Sequence, residues 1–138
     1  MIYLDTSAIL KLLRREAETD ALIDHLAAHA QQDLITSALA TVETARALTA
    51  LGEVDIAARA VHRSDRVEIG TAVIPAVAIS AAVLGLARTL PPAVLRSLDA
   101  IHLATAKVAG ESLDHLITYD RRMLVAADAA GLRALAPA

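Results

Sequence analysis

The segment MIYLDTS at residues 1–7 runs from an apolar stretch into a carboxylate and two hydroxyl side chains. Apolar residues at helical spacing follow at residues 8–13. This order predicts a short buried strand, an aspartate at its carboxyl end and the start of a helix. Ligands of open α/β sheets bind beyond the carboxyl ends of the strands. Asp5 therefore lies where a parallel sheet places reactive groups.

The rest of the chain alternates between strand-like and helix-like segments. Short apolar runs predict strands at residues 33–37, 67–69, 113–119 and 132–135. Helical periodicity or alanine-rich composition predicts helices at residues 16–31, 39–51, 53–63, 75–88, 94–108 and 121–130. This alternation is typical of a parallel sheet flanked by helices. We therefore expect one α/β domain spanning residues 1–138.

The composition limits the chemistry that this chain can use. It has 138 residues and a net charge of −3, with no cysteine, phenylalanine or tryptophan. The lack of cysteine excludes disulfides and thiolate metal ligands and suits a reducing cytoplasm, where we expect the protein to reside. Nucleic-acid binding would depend on local basic groups, because the overall charge is slightly negative. The scarcity of aromatic rings leaves RNA recognition to backbone contacts and shape.

Residues 69–87 form an uncharged segment. Its length approaches the ~20 residues of a membrane-spanning helix. Gly70, Pro75 and Gly85 interrupt it, so we favour a short strand followed by an alanine-rich packing helix and expect no membrane association. We also expect no secretory signal, because Asp5 breaks the first apolar run and no basic leader precedes it.

Several carboxylates are predicted near one edge of the sheet. Asp5 and Asp120 follow strand-like runs, and Glu43 lies within two turns of the start of the helix after the second strand. Asp99 has apolar neighbours, where an unpaired charge costs several kcal/mol. Converging carboxylates repel one another, and a hard cation such as Mg²⁺ or Mn²⁺ stabilises them. Two such ions about 4 Å apart can promote phosphodiester hydrolysis.

Spacing alone leaves structural roles open for the same residues. Glu43 could form a surface pair with Arg46, three residues later on the helix. Asp120 could equally cap the last helix, and Asp5 could cap the first. The pattern therefore permits either a metal site or a set of caps and surface pairs.

Four parts of the chain resemble PIN-domain proteins, in particular the VapC toxins of bacterial and archaeal toxin–antitoxin pairs. They are IYLDTSA at residues 2–8, Glu43 with Arg46, LDAIHLATA at residues 98–106, and LITYDRR at residues 116–122. The resemblance covers essentially the whole chain. Its most specific parts are the DTS and DAIHLATA segments, and its least specific is Glu43.

The resemblance implies a fold, an activity and partners. The fold would be a parallel sheet of about five strands between helices. The activity would be that of a Mg²⁺- or Mn²⁺-dependent endoribonuclease, which a VapB-type antitoxin inhibits. Such proteins usually form homodimers, and the uncharged helix after Pro75 is a candidate for that interface.

The resemblance also implies the site residues. The catalytic and metal-binding carboxylates would be Asp5, Glu43, Asp99 and Asp120. Asp5 and Asp99 would bind metal directly, whereas the other two would act through water or hold a second ion. The hydroxyls that orient carboxylates or bound water would be those of Ser7 and Thr118.

The basic residues nearest these carboxylates are the candidates for RNA binding, namely Arg46, Arg121 and Arg122. Many relatives have more aromatic residues, so substrate contacts made elsewhere need not transfer to this chain.

The histidines suggest less specific roles. His25 and His29 lie four residues apart on one predicted helix, a spacing that can hold zinc. We interpret them as surface residues, because the sequence shows no third ligand nearby. His102 is interpreted as a structural partner rather than a catalytic base.

Two other functions fit parts of the sequence. An aspartate after the first strand can accept a phosphoryl group, as in haloacid-dehalogenase-like phosphatases. Those enzymes carry a second aspartate two residues later, where this chain has Ser7. A PIN-like protein could also bind a partner without catalysis. The complete set of carboxylates favours an active nuclease over both.

Overall fold

The computed structural model describes the backbone of residues 1–138 and the side chains of all of them except residues 57–59. The strands are β1 (Ile2–Leu4), β2 (Leu34–Ser37), β3 (Ala60–Arg63), β4 (Arg66–Ile69), β5 (Ala72–Val77), β6 (His115–Ile117) and β7 (Ala134–Leu135). The helices are α1 (Thr6–Leu13), α2 (Thr19–Ala28), α3 (Ala38–Ala50), α4 (Val54–Arg59), α5 (Ala81–Ala87), α6 (Ser97–Val108) and α7 (Arg121–Ala129).

The strands form one sheet in the order β3-β4-β5-β2-β1-β6-β7. The neighbouring strands from β5 through β2, β1 and β6 to β7 pair in parallel. This part of the sheet confirms the expected α/β architecture with about five parallel strands. The sheet continues beyond it, because β3 pairs with β4 and β4 pairs with β5 in antiparallel fashion.

Strand β1 lies in the middle of the sheet and is covered on both faces. Ile2, Tyr3 and Leu4 are all fully buried, which explains why the strand is apolar without alternation. Ile2 and Leu4 belong to the core that includes Ile9 of α1, whereas Tyr3 belongs to the core on the opposite face. Successive side chains of a strand point to opposite faces, so this strand contributes to both cores.

Two predicted helices are wrong over part of their length. The helix predicted at residues 53–63 ends with α4, and β3 follows it to form a hairpin with β4. Glu68 of β4 lies 2.6 Å from the Arg66 guanidinium and 3.6 Å from that of Arg63, so the two strands share a carboxylate. The contact with Arg63 crosses the hairpin turn, and helical periodicity does not reveal it.

The helix predicted at residues 75–88 begins only at α5, with Ser80 as its cap. The preceding residues form β5, in which Ile74 is buried between the exposed Val73 and Pro75. This alternation is that of a strand, and the β-branched residues favour it. The helices within the described residues are too short or too polar to cross a membrane.

A cluster of three histidines lies at the amino end of β6, away from the carboxyl edge of the sheet. His25 and His29 stack with their ring centroids 4.4 Å apart. The Nε2 atom of His25 lies 2.9 Å from Nε2 of His115, and His115 Nδ1 lies 2.6 Å from an oxygen of Asp114. His25 and His29 are half-buried at the end of α2, and β6 supplies a third imidazole that the sequence did not indicate, but these groups do not form an arrangement that could hold a metal ion within the described side chains.

The unfolding free energy is expected to depend on pH through His25. Burial first, then the nearby His29, His115 and Arg133, lower the pKa of His25, while Asp114 opposes them. The unfolded histidine has a pKa of about 6.5, so below that pH the unfolded chain binds more protons. The stability contributed by neutral His25 is then lost progressively.

Urea unfolding at about pH 8 and about pH 5.5 checks this expectation. The difference in unfolding free energy between the two conditions should be smaller in His25→Gln than in the wild type. Equal differences in both proteins would show that His25 does not contribute.

Candidate active site

The carboxyl ends of β1 and β6 place Asp5 next to Thr118. Leu4 is in register with Ile117, and the Asp5 N–H donates to the Ile117 carbonyl at 3.2 Å. The residues that follow the two strands are therefore neighbours, and the Thr118 hydroxyl donates to Oδ2 of Asp5. Parallel pairing of the strands is the cause of this contact between residues far apart in the chain.

The Asp5 carboxylate is only 4% exposed and all its hydrogen bonds are short. Oδ1 accepts from the Ser7 hydroxyl at 2.6 Å and from the Ala8 N–H at 2.9 Å, so Asp5 caps α1. Burial raises the pKa of Asp5, and the bonds from Ser7, Thr118 and Ala8 oppose that rise. Asp5 is thus both the cap of α1 and a carboxylate at the carboxyl edge of the sheet.

Glu43 projects from α3 toward the same edge and contacts polar groups of α1 and α6. Its Oε2 lies 2.7 Å from His102 Nε2, and the Thr6 hydroxyl donates to the same oxygen. Burial opposes ionisation, but the bonds from His102 and Thr6 outweigh it and lower the pKa of Glu43. Glu43 therefore does not form the surface pair with Arg46, because it bonds to His102 and Thr6 instead.

Asp99 lies in the first turn of α6 and is half-buried. Burial and the nearby charge of Asp120 raise its pKa, with Arg122, His102 and Arg96 acting in the opposite direction. The two carboxylates therefore lie close enough to repel one another. A cation between them would relieve that repulsion.

Asp120 caps α7, one of the two roles that the sequence left open. Its Oδ1 accepts from the Arg122 N–H at 2.8 Å and from the Met123 N–H at 3.4 Å, while Oδ2 pairs with the Arg122 guanidinium at 3.3 Å. Burial raises the pKa of Asp120, and these bonds outweigh it and lower the pKa overall. The Asp120 carboxylate is thus held at the start of α7 by the backbone and guanidinium of Arg122.

A cavity of about 430 Å³ opens beside Asp99, between the segment before α6 and the start of α7. Its lining combines apolar side chains with three guanidinium groups, those of Arg96, Arg121 and Arg122. Val94 and Val125 at this cavity are 89% and 69% exposed. Arg46 lies elsewhere, in a surface depression with His62 and Arg63. Two of the three predicted basic candidates therefore line the cavity next to a carboxylate.

The oxygen atoms of these carboxylates are suitable ligands for a hard divalent cation. Their present arrangement is less suitable than their chemistry. Their oxygen donors are the kind that Mg²⁺ and Mn²⁺ prefer. The charge of Asp120, after burial, raises the pKa of Asp99, a shift that a bound cation would oppose. Within the described side chains, however, no three acidic or histidine groups already surround one ion position. Binding would need side chains to turn, since oxygens of Asp5 and Glu43 are engaged by hydroxyls and by His102.

Three residues of this region were not predicted from the sequence as site residues. Thr6 and His102 bind Glu43, and Arg96 lines the cavity beside Asp99. The spacing of His102, three residues after Asp99, was the one available signal, because it places both on one side of α6. The partner of His102 comes from another helix, which no local pattern shows.

The chain matches the PIN-domain family model over residues 2–129. It is 44% identical to Ribonuclease VapC35 of Mycobacterium tuberculosis over 141 aligned residues, covering 99% of this chain and 97% of that protein. The chain belongs to the VapC family of PIN-domain proteins. Two further VapC proteins of Mycobacterium tuberculosis are similar to it. Ribonuclease VapC46 is 44% identical, covering 99% and 97%, and Ribonuclease VapC47 is 42% identical, covering 90% and 88%.

This VapC-family match includes every carboxylate described above, since all lie within residues 2–129. Asp5 and Asp120 follow β1 and β6 at the carboxyl edge of the sheet, and Asp99 lies in the first turn of α6.

Proposed function

We propose that this protein is a divalent-cation-dependent endoribonuclease that hydrolyses RNA phosphodiester bonds, with Mg²⁺ as its ion and Mn²⁺ as a substitute. The observation that carries the proposal is the parallel pairing of β1 with β6, which gathers Asp5, Thr118 and Asp120 at one edge. The similarity to proteins named ribonucleases supports the reaction class.

Each carboxylate has a proposed role. Asp5 and Asp99 would hold the cation directly, and Glu43 and Asp120 would act through water or hold a second ion. A divalent cation, when bound, supplies a Lewis acid that activates water and neutralises charge on the phosphate. Ser7 and Thr118 orient the Asp5 carboxylate through the hydroxyl bonds described above.

The cavity beside Asp99, with its apolar and basic lining, is the proposed binding site for the RNA substrate. Arg121 and Arg122 would bind RNA phosphates, because their guanidinium groups are exposed next to the proposed site. Arg46 remains a weaker candidate, since it lies with His62 and Arg63 in a separate depression.

The proposed partners follow from the family. A VapB-type antitoxin would inhibit the nuclease, and the protein would act as a homodimer in the cytoplasm. Residues 1–138 would form one PIN-like domain. The exposed Leu84 on α5 agrees with a dimer contact through that uncharged helix.

Metal dependence is the direct test of this function. Protein freed of any antitoxin is mixed with total RNA in Mg²⁺, in Mn²⁺ or in EDTA. We expect cleavage with either ion and none with EDTA, because the carboxylates cannot activate water without a cation. Circular dichroism in EDTA should show an unchanged fold. Cleavage that persists in EDTA would contradict the proposed mechanism.

Absence of cleavage under all these conditions would favour a PIN-like binding protein without activity. An aspartate-nucleophile phosphatase is less well supported, because Ser7 stands where a second aspartate is needed.

Charge removal at the cavity should weaken RNA binding. Arg121→Ala and Arg122→Ala are each expected to raise KM with a smaller change in kcat. Each should also reduce the slope of log affinity against log salt by about 1, as expected when one phosphate contact is lost. Fluorescence anisotropy of a labelled RNA measures both quantities. Arg15→Ala is the matched control, because Arg15 is exposed and pairs with Asp20 in α2. Equal slopes in the wild type and the three variants would show that the cavity does not bind RNA.

A further inference from the structure

A series of hydrogen bonds connects the buried sheet to the Glu43 carboxylate. Tyr3 is fully buried in β1, and its hydroxyl lies 2.6 Å from Nδ1 of His102 on α6. The other ring nitrogen of His102 lies 2.7 Å from Oε2 of Glu43 on α3. His102 is itself only 3% exposed. Three separate elements thus meet through one imidazole.

The direction of these bonds follows from the groups at the two ends. An ionised carboxylate only accepts hydrogen bonds, so the proton between His102 and Glu43 belongs to Nε2. In a neutral ring the Nδ1 atom then carries a lone pair and accepts the Tyr3 hydroxyl proton. The Tyr3 hydroxyl is fully buried and faces this lone pair at 2.6 Å, so it is the donor of that bond.

We propose that Tyr3, acting through His102, is a positioning residue that holds the Glu43 carboxylate in one orientation at the acidic edge. The proposal rests on the nuclease function proposed for that edge. The Tyr3 hydroxyl and the Glu43 carboxylate favour the same His102 tautomer, and the two bonds together fix the orientation of the imidazole ring. The perpendicular packing of the Tyr3 and His102 rings, with centroids 6.1 Å apart, restrains the imidazole further.

Positioning is needed because Glu43 has a flexible side chain and is only half-buried. Thr6 supplies one anchor, and His102 supplies the other. Without the Tyr3 hydroxyl, Nδ1 of His102 loses its hydrogen-bond donor, and the ring keeps only one of the two bonds that orient it toward Glu43. Residues that orient the ligands of a metal without contacting the metal typically contribute about 10- to 100-fold to metal affinity or activity.

The chain offers a matched pair of substitutions, because it contains two tyrosines. Tyr3→Phe removes only the hydroxyl that faces His102. Tyr119→Phe removes a hydroxyl that donates to the Pro137 carbonyl at 2.9 Å and has no part in the series. We expect Tyr3→Phe to lower kcat for RNA cleavage about 10-fold with little change in KM, and Tyr119→Phe to leave both constants near the wild-type values.

A second measurement detects the hydrogen bonds of His102 and does not depend on catalytic activity. Long-range ¹H–¹⁵N correlation spectra of the metal-free protein distinguish protonated from bare imidazole nitrogens. For wild-type His102 we expect a protonated Nε2 and a bare Nδ1, and for Tyr3→Phe a changed Nδ1 resonance, because this nitrogen loses its hydrogen-bond donor. The proposal is overturned if wild-type Nδ1 is protonated, or if Tyr3→Phe keeps both the wild-type spectrum and the wild-type kcat.

Failure of this proposal is separable from failure of the proposed function. A wild-type protein without metal-dependent cleavage refutes the nuclease itself. An active wild type whose kcat falls equally in Tyr3→Phe and Tyr119→Phe refutes only the positioning role. Should Tyr3→Phe not fold, His102→Gln and His102→Leu make the same comparison. Only glutamine retains an N–H donor for Glu43, so a higher kcat in His102→Gln supports the proposal and equal values contradict it.

Discussion

Asp5→Asn is expected to lower the rate of RNA cleavage about a thousandfold, because ligands of a catalytic cation contribute several kcal/mol and each 1.4 kcal/mol is about a factor of ten. Asparagine has nearly the same shape but lacks the negative charge. It also remains a good helix cap, so the bond from the Ala8 N–H can persist. The loss should therefore fall on activity and leave the fold intact.

Single-turnover cleavage of a defined RNA at saturating Mg²⁺ measures this effect, and urea unfolding checks the fold. Asp99→Asn should lose activity by a similar factor. The double variant should lose little more than either single one, since groups that act on one site are not additive. Asp20→Asn is the control, because Asp20 is exposed on α2 and pairs with Arg15. Undiminished cleavage in Asp5→Asn or Asp99→Asn would exclude that residue from the site.

Leu103→Ala is expected to reduce the unfolding free energy by about 2–5 kcal/mol. Leu103 is fully buried on α6 and packs in the core that contains Tyr3 and Leu116. Removing its side chain leaves a cavity beneath the helix that carries Asp99 and His102. Small domains have a total stability of only about 5–15 kcal/mol, so this loss is a large fraction.

Leu98→Ala on the same helix is the matched control, because Leu98 is 49% exposed. It should cost less than about 1 kcal/mol, as surface substitutions usually do. Guanidinium chloride unfolding, monitored by circular dichroism, measures both variants. Similar losses at the two positions would show that the core around Leu103 is not tightly packed.

The short central strands and the aspartates beside them were predictable from local sequence. Residues 1–7 indicated a buried strand, an aspartate and a helix start, and the structure has β1, the Asp5 cap and α1 in that order. The sequence around Asp120 likewise indicated β6 followed by α7. These features depend on residues adjacent in the chain, and burial on both faces requires a continuous apolar run.

Of the three strands that pair in antiparallel fashion, the sequence indicated β4 at residues 67–69 but not β3 or β5. Ala60–Arg63 and Ala72–Val77 lie in stretches that also fit helical periodicity. They become strands because β4 pairs with both of them and β5 then joins β2. Tertiary pairing overrides local preference in such short segments.

The arrangement of the acidic edge was decided by contacts between distant residues. The sequence by itself determined which carboxylates follow the strands and that they lie within a VapC-type pattern. Only the tertiary structure decided that Thr118 donates to Asp5 across 113 positions and that His102 meets Glu43 across 59. The physical reason is that parallel strands bring their carboxyl ends together whatever the length of chain between them, and the helices that cover them then supply the partners.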